Sequence, residues 1–334
     1  MGEIELIGIV GFGYTGSSAV FDYLKKYKEL TFLNSEFPLI YRPDGLQSLE
    51  FDLNINVNRF FSADYAITRF KFLVIAYLKE IKVNKNTQKK VIRILNQYIN
   101  DISDIEWNTP IVKHKASNVY GGFKAPFHIY FLQRLNNLLN KLNIYSFDLR
   151  KHENRYFSVR PKDFLKHSTK FLENVLTILT DTEYHDNFVL DQPFSADNIN
   201  QGLHYFKNPK VIVVDRDPRD LYVYAREKKG GINFIPSDNV HDFVTYYNKI
   251  RETYILNGPY DNNKVLFIQY EDMIYNFSKT AQVIDEFLGL KHNHSLETFN
   301  PEISKKYTKL FINDKHKKDI DYIEKKLEDW LYTF

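Results

Sequence analysis

The chain has no cysteine at all. This excludes disulfides, thiolate metal sites and cysteine nucleophiles, and nothing points to an oxidising compartment. A strong excess of one charge is also missing: 45 basic against 42 acidic residues leave a formal +3. That is too little for wholesale nucleic-acid binding, so any basic site must be local. No long hydrophobic run occurs either. The longest, Phe72 to Leu78, is far too short to span a bilayer, and the N-terminus enters a strand pattern without a charged lead or an apolar signal core. A cytoplasmic location is the expectation. His114, His128, His185 and His204 are scattered without ligand spacing, so no metal is expected.

What is present is a chain of 334 residues, 43% hydrophobic and 26% charged, enough to bury a large core. Glu5 to Val10 reads as a buried strand, and a glycine turn then leads into a helix from Ser17 to Tyr27 through Val20, Phe21 and Leu24. A second strand is expected at Leu30 to Leu33, before the turn-rich stretch holding Pro38, Pro43 and Gly45. From about residue 55 to 183 helical periods dominate, as in Val91, Ile94, Leu95, Tyr98, Ile99 and Ile102, and again in Leu132, Leu135, Leu138, Leu139 and Leu142. Strand signals return at Phe188–Leu190, Val211–Val214 and Val265–Ile268, alternating with helical stretches near 197–206, 218–229 and 239–256. A helix near 277–288 ending at Gly289 and an amphipathic helix from about 317 to 333 complete the pattern. The expected fold is α/β, a parallel sheet flanked by helices, forming a single domain over 1–334 with a helical insertion at about 55–183. There is no internal repeat and no low-complexity linker.

The segment Gly11-Phe12-Gly13-Tyr14-Thr15-Gly16-Ser17-Ser18 leaves a strand and enters a helix, so its free amides point above the helix N-terminus and make an anion site. Two designs share this form. Gly11, Gly13 and Gly16 satisfy the dinucleotide fingerprint, with Glu36 some 20 residues past Gly16 where a ribose-binding acid belongs. Hence a nicotinamide-dependent oxidoreductase is one reading. The hydroxyls of Thr15, Ser17 and Ser18 favour the other, a phosphate or phosphosulfate cradle. No lysine precedes Ser17, so the Walker A form is absent.

The run Val211 to Asp220 ends a buried strand at Arg216 and restarts at Pro218, a residue suited to the first helical turn. Arg216 therefore lies at the carboxyl edge of the sheet, where a guanidinium suits bidentate contact with a phosphate. The competing view pairs Arg216 and Arg219 with Asp217 and Asp220 as solvated charges.

The glycine loop, the arginine strand and the segment Val265 to Asp272 followed by Val283 to Leu290 come in an order that resembles the sulfotransferases dependent on 3′-phosphoadenosine 5′-phosphosulfate (PAPS). The likeness extends from residue 5 to about 310 and is of a bacterial type, with some likeness to glycan sulfotransferases. It implies that Gly13, Tyr14, Thr15, Gly16, Ser17 and Ser18 bind the 5′-phosphosulfate and that Arg216 binds the 3′-phosphate. Ser304, Lys305 and Lys306 fall where the family closes over the 3′-phosphate and adenine. PAPS is the implied donor, adenosine 3′,5′-bisphosphate the product, and a glycan or other small molecule the acceptor. Two positions depart from the family. Tyr14 stands where a loop lysine or arginine is usual, so the leaving phosphate is left to the Tyr14 phenol, to Arg42, or to the amides and hydroxyls of the loop. Tyr224 replaces a 3′-phosphate serine. As base, the family position falls on Glu36, with Asp191 at the end of another strand as its rival; the glutamate tilts the acceptor toward carbohydrate. The same missing lysine motivates a silent, nucleotide-binding alternative.

Overall fold

The computed structural model describes residues 5–57, 62–110, 134, 135, 137–139, 141, 152–182, 187–228, 232, 234–291, 298–312 and 314–334. His114, His128 and His185 lie outside them, as do Leu132 and Leu142 of the leucine run. The chain forms two compact units, one of residues 1–41 and 176–334 and the other of residues 42–175.

The first unit opens with β1 (Glu5–Gly11), α1 (Ser17–Leu24) and β2 (Leu30–Glu36). The second unit carries α2 (Leu46–Asn54), α3 (Ser62–Glu80) and α4 (Lys85–Asp101). Asn84 caps α4 by accepting from the amides of Asn86 and Thr87, both at 2.9 Å. A pair of strands, β3 (Ile105–Pro110) and β4 (His152–Phe157), runs antiparallel here, so the middle of the chain is not wholly helical. Helix α5 (Phe164–Thr180) follows; its Phe171 stacks on Tyr98 at 4.7 Å, and its Ser168 hydroxyl shares a 2.8 Å hydrogen bond with the Tyr98 phenol.

The first unit resumes with β5 (Asn187–Asp191), β6 (Asn208–Asp215), α6 (Pro218–Glu227), α7 (Val240–Leu256), β7 (Val265–Gln269), α8 (Phe277–Leu288) and α9 (Lys317–Lys326). Its five strands are all parallel, in the order β2-β5-β1-β6-β7. Val211 to Val214 of β6 are fully buried, as an unbroken branched run must be when a parallel strand is covered on both faces. Against one face, Ile7, Ile9, Val189, Ile212 and Val214 pack with Ala19, Val20 and Leu24 of α1 and Ala281 and Ile284 of α8. Gly289 ends α8 at φ 71°, the left-handed stop that glycine favours. Helices α1 and α9 stop earlier than the apolar period predicts, at Leu24 and at Lys326, where a short 3-10 turn takes over, and the stretch expected near 197–206 is helical only over Asn200–Leu203.

Among the described residues no helix is long and apolar enough to cross a membrane.

Candidate active site

Parallel strands bring their carboxyl ends to one edge, and there the sheet gathers the chemistry of the first unit. The Gly11 loop follows β1, Glu36 ends β2, Asp191 ends β5, Arg216 follows β6 and Tyr270 follows β7.

The loop is shaped by its backbone. Gly13, Tyr14 and Gly16 have φ of 89°, 55° and 92°, the left-handed region in which a non-glycine residue such as Tyr14 is uncommon. A Cβ on Gly16 would come within 2.2 Å of the Tyr270 ring, so glycine is required for conformation and for space alike. Tyr14 presents its ring outward, stacked on Phe234 at 5.4 Å and tilted against Tyr224 at 5.9 Å. Its carbonyl turns inward and accepts from Arg216 Nη1 at 3.3 Å.

The loop hydroxyls divide. Thr15 is buried, its Oγ1 accepting from the Phe12 amide at 3.2 Å and donating to the Val214 carbonyl at 2.6 Å. That hydroxyl is committed to the fold, so as a side-chain phosphate ligand Thr15 is corrected: a buried O–H takes the acceptor the strand offers. Ser17 and the exposed Ser18 remain at the surface of the loop. Ser17 Oγ accepts from Gln192 Nε2 at 3.2 Å, while Gln192 Oε1 accepts from the Gly11 amide at 3.3 Å. Gln192 thus clamps both ends of the loop.

Arg216 is 3% exposed. The carboxylates around it are engaged by other groups: Asp215 with Arg251 at 2.6 Å, Asp217 with Arg219 at 2.6 Å and the Tyr332 amide at 3.0 Å, and Asp220 with the amides of Lys309 and Leu310 at 2.8 and 2.6 Å. Among the described residues the Arg216 guanidinium donates only to carbonyls, those of Tyr14 and Tyr307. Its Nε is buried without a partner among the described residues, and its guanidinium sits 5.2 and 5.4 Å from the rings of Tyr224 and Tyr270. The expected pairing of solvated charges is therefore replaced by a buried one, Arg219 with Asp217, while Asp220 serves backbone amides and Arg216 ion-pairs with neither. A buried cation with no carboxylate in direct contact is costly unless an anion completes it.

Two cavities meet at this loop. A smaller one of about 320 Å³ is lined by Gly16, Ser18, Arg216, Tyr224, Tyr270 and Ser304, among others. A larger one of about 670 Å³ is lined by Glu36, Tyr41, Asp191, Gln192, Phe234 and Tyr246, among others. Tyr14 and Ser17 line both. Of the C-terminal candidates, Ser304 reaches the small cavity, whereas Lys305 pairs with Glu302 at the surface at 2.6 Å and Lys306 lies over the Tyr307 ring at 5.0 Å. Neither lysine lines the cavity; the Tyr307 carbonyl, which sequence reading missed, does the work of holding Arg216. Arg42 belongs to the second unit and pairs there with Glu80 at 3.1 Å.

The two candidate bases are partners in the β2–β5 register, Glu36 opposite Asp191. Glu36 is exposed. Asp191 is the more perturbed: burial, reinforced by the charges of Glu36 and Asp22, pushes its carboxyl up to about 6. Its Oδ1 is buried without a partner among the described residues.

The sheet order also decides between the two readings of the glycines. In the dinucleotide fold β1 and β2 are adjacent; here β5 intervenes, moving Glu36 out by one further strand spacing of about 4.8 Å. Among the described residues no cluster of three or more metal-ligating side chains occurs.

Residues 200–328 match the family model described as sulfotransferase domain. No curated protein matches. Among solved structures, the sulfotransferase domain from the curacin biosynthetic pathway aligns at 13% identity over 99% of each chain, with a TM-score of 0.45. The sulfotransferase domain from the Synechococcus PCC 7002 olefin synthase aligns at 11% identity over 99% of this chain and 95% of its own, TM-score 0.39. Sulfotransferase STF1 from Mycobacterium tuberculosis H37Rv aligns at 11% over 98% and 77%, TM-score 0.39. The match to the sulfotransferase domain family thus covers the part of the chain that holds Arg216, Tyr224 and Ser304.

Proposed function

We propose that the protein transfers a sulfuryl group from PAPS to a carbohydrate hydroxyl or amine, with the donor in the small cavity and the acceptor in the large one. The observation that carries this is the shared lining: Tyr14 and Ser17 belong to both cavities, so a group bound on one side faces a group bound on the other. In-line displacement requires that opposition.

The small cavity fits a bisphosphate nucleotide. Arg216 brings a buried guanidinium whose Nε is unpartnered among the described residues, and Gly16 and Ser17 bring the start of α1. Gly13, Gly16, Ser17 and Ser18 would hold the 5′-phosphate, Arg216 the 3′-phosphate, and Tyr224, Tyr270 and Ser304 the remaining walls. When bound, the donor supplies an activated sulfuryl group. Asp191 removes the acceptor proton; its raised carboxyl keeps the proton affinity a base needs while leaving it ionised at neutral pH. Glu36 beside it adds negative charge that sustains that affinity. Tyr41, Phe234 and Tyr246 give aromatic faces, which suit the apolar face of a sugar ring. With no cysteine in the sequence, we place the protein in the cytoplasm.

The test uses radiolabelled PAPS and a panel of mono- and oligosaccharides. Wild type should label at least one sugar. Asp191→Asn should lower kcat by about 10²–10⁴, with affinity for adenosine 3′,5′-bisphosphate unchanged, and wild-type activity should fall on the acid side with an apparent pKa near 6. Full activity in Asp191→Asn removes it as base in favour of Glu36. Donor binding without transfer to any sugar removes the carbohydrate assignment.

A further inference from the structure

Sulfuryl transfer leaves negative charge on the 5′-phosphate oxygen that departs, and a positive group fixed nearby accelerates the step because it needs no reorganisation. The loop itself has no cationic side chain between Gly11 and Ser18. Arg216 is occupied by the Tyr14 and Tyr307 carbonyls and, on the proposed assignment, serves the other phosphate. Arg251, over the Phe12 ring, is paired with Asp215, but a further cation lies beside the loop. Lys228, immediately after α6, holds its Nζ 4.1 Å from the centroid of the Tyr14 ring and 5.7 Å from that of Tyr224. Both rings line the small cavity, and Tyr14 lines the large one as well.

From this juxtaposition we propose that Lys228 is the charge-supplying residue for the 5′-phosphate, delivered from the end of α6 and seated on the face of Tyr14, a residue that lines both cavities though Lys228 itself lines neither. Three features fit this assignment. Among the described residues Lys228 has no ion pair, unlike Lys305, Lys315 and Lys249, whose carboxylate partners lie within 2.9 Å. An aromatic face holds an ammonium without neutralising it, so the charge stays available to an anion. Hydrogen bonding to Tyr14 moves the ammonium above its ordinary value, which keeps it charged through the neutral range. The unusual backbone of Tyr14, φ 55°, acquires a reason: with its carbonyl turned to Arg216, its ring is turned out to receive Lys228. A tyrosine in the loop thus recruits a cation from the helix instead of carrying one.

The inference rests on the donor assignment above, and the experiment separates the two. Titration calorimetry compares wild type, Lys228→Gln, Lys228→Arg and Tyr14→Leu, each with adenosine 3′,5′-bisphosphate and with adenosine 3′-monophosphate, which lacks the 5′-phosphate. Lys228→Gln should weaken the bisphosphate about tenfold, in line with loss of one charge-assisted contact, and leave the 3′-monophosphate within twofold. Lys228→Arg should restore the bisphosphate to within threefold of wild type. Tyr14→Leu, which removes the seat, should reproduce the selective loss. Equal weakening of both nucleotides, or none, overturns the role of Lys228 while the donor assignment stands. Failure of wild type to bind either nucleotide overturns both.

Discussion

Arg216 offers the sharpest test, because its surroundings predict a large loss of binding with little change in stability. In Arg216→Met a buried guanidinium is replaced by an apolar chain of comparable reach. Two charge-assisted hydrogen bonds to one phosphate, at about 1.5 kcal/mol each, amount to about 3 kcal/mol. At 1.4 kcal/mol per tenfold, the affinity for adenosine 3′,5′-bisphosphate should fall about a hundredfold. Ligand present at 100 times the wild-type Kd stabilises wild type by about 2.7 kcal/mol but the variant by only about 0.4 kcal/mol. A thermal-shift assay with and without the bisphosphate therefore shows a clear rise for wild type and almost none for Arg216→Met. Without ligand the two should melt within a few degrees of each other. The variant no longer buries a cation that lacks a carboxylate, and this relief offsets the loss of donors to the Tyr14 and Tyr307 carbonyls. Adenosine 5′-monophosphate, which lacks the 3′-phosphate, should bind both proteins alike. The reasoning fails if Arg216→Met keeps bisphosphate affinity within threefold of wild type, or still prefers the bisphosphate over the 5′-monophosphate.

Gly16→Ala should lower stability by about 2–4 kcal/mol and abolish bisphosphate binding, because the new methyl lands 2.2 Å from the Tyr270 ring at φ 92°; denaturant unfolding measures the first and calorimetry the second. Glu271 is fully buried, and burial pushes its carboxyl up to about 8. Since the folded state holds this proton more tightly than the unfolded chain, the contribution is complete below about pH 4.5 and is lost as pH rises through about 8. Glu271→Gln keeps an acceptor for the Asp217 amide and should flatten that alkaline loss in melting curves from pH 5 to 9; an unchanged slope would mean that Glu271 is already ionised in the fold.

How far the sequence reveals this molecule depends on how local each determinant is. The step from β1 through the loop into α1 is legible because strand period, glycines and helix period follow one another within about 20 residues. Arg216 is legible too, since a branched run stops at an arginine and a proline restarts the chain. The insertion of β5 between β1 and β2 is not, because strand pairing is set by contacts between residues more than 150 positions apart. Gln192, clamping both Gly11 and Ser17, is invisible for the same reason. Glu36 and Asp191 are both found from their strand ends, but burial ranks Asp191 first, and burial is a property of the packed chain. Strand β3 gives little warning, with both its large apolar residues, Ile105 and Trp107, left exposed.

The Thr15 hydroxyl, bonded to the carbonyl of Val214, bolts the glycine loop to the strand that delivers Arg216 two residues later. The two ends of the small cavity are consequently one rigid jaw, with a fixed gap between its tips. On the donor assignment such a jaw acts as a caliper. It gauges the distance between two phosphates, so that a nucleotide whose phosphates are spaced differently is refused by length alone, whatever its base or charge.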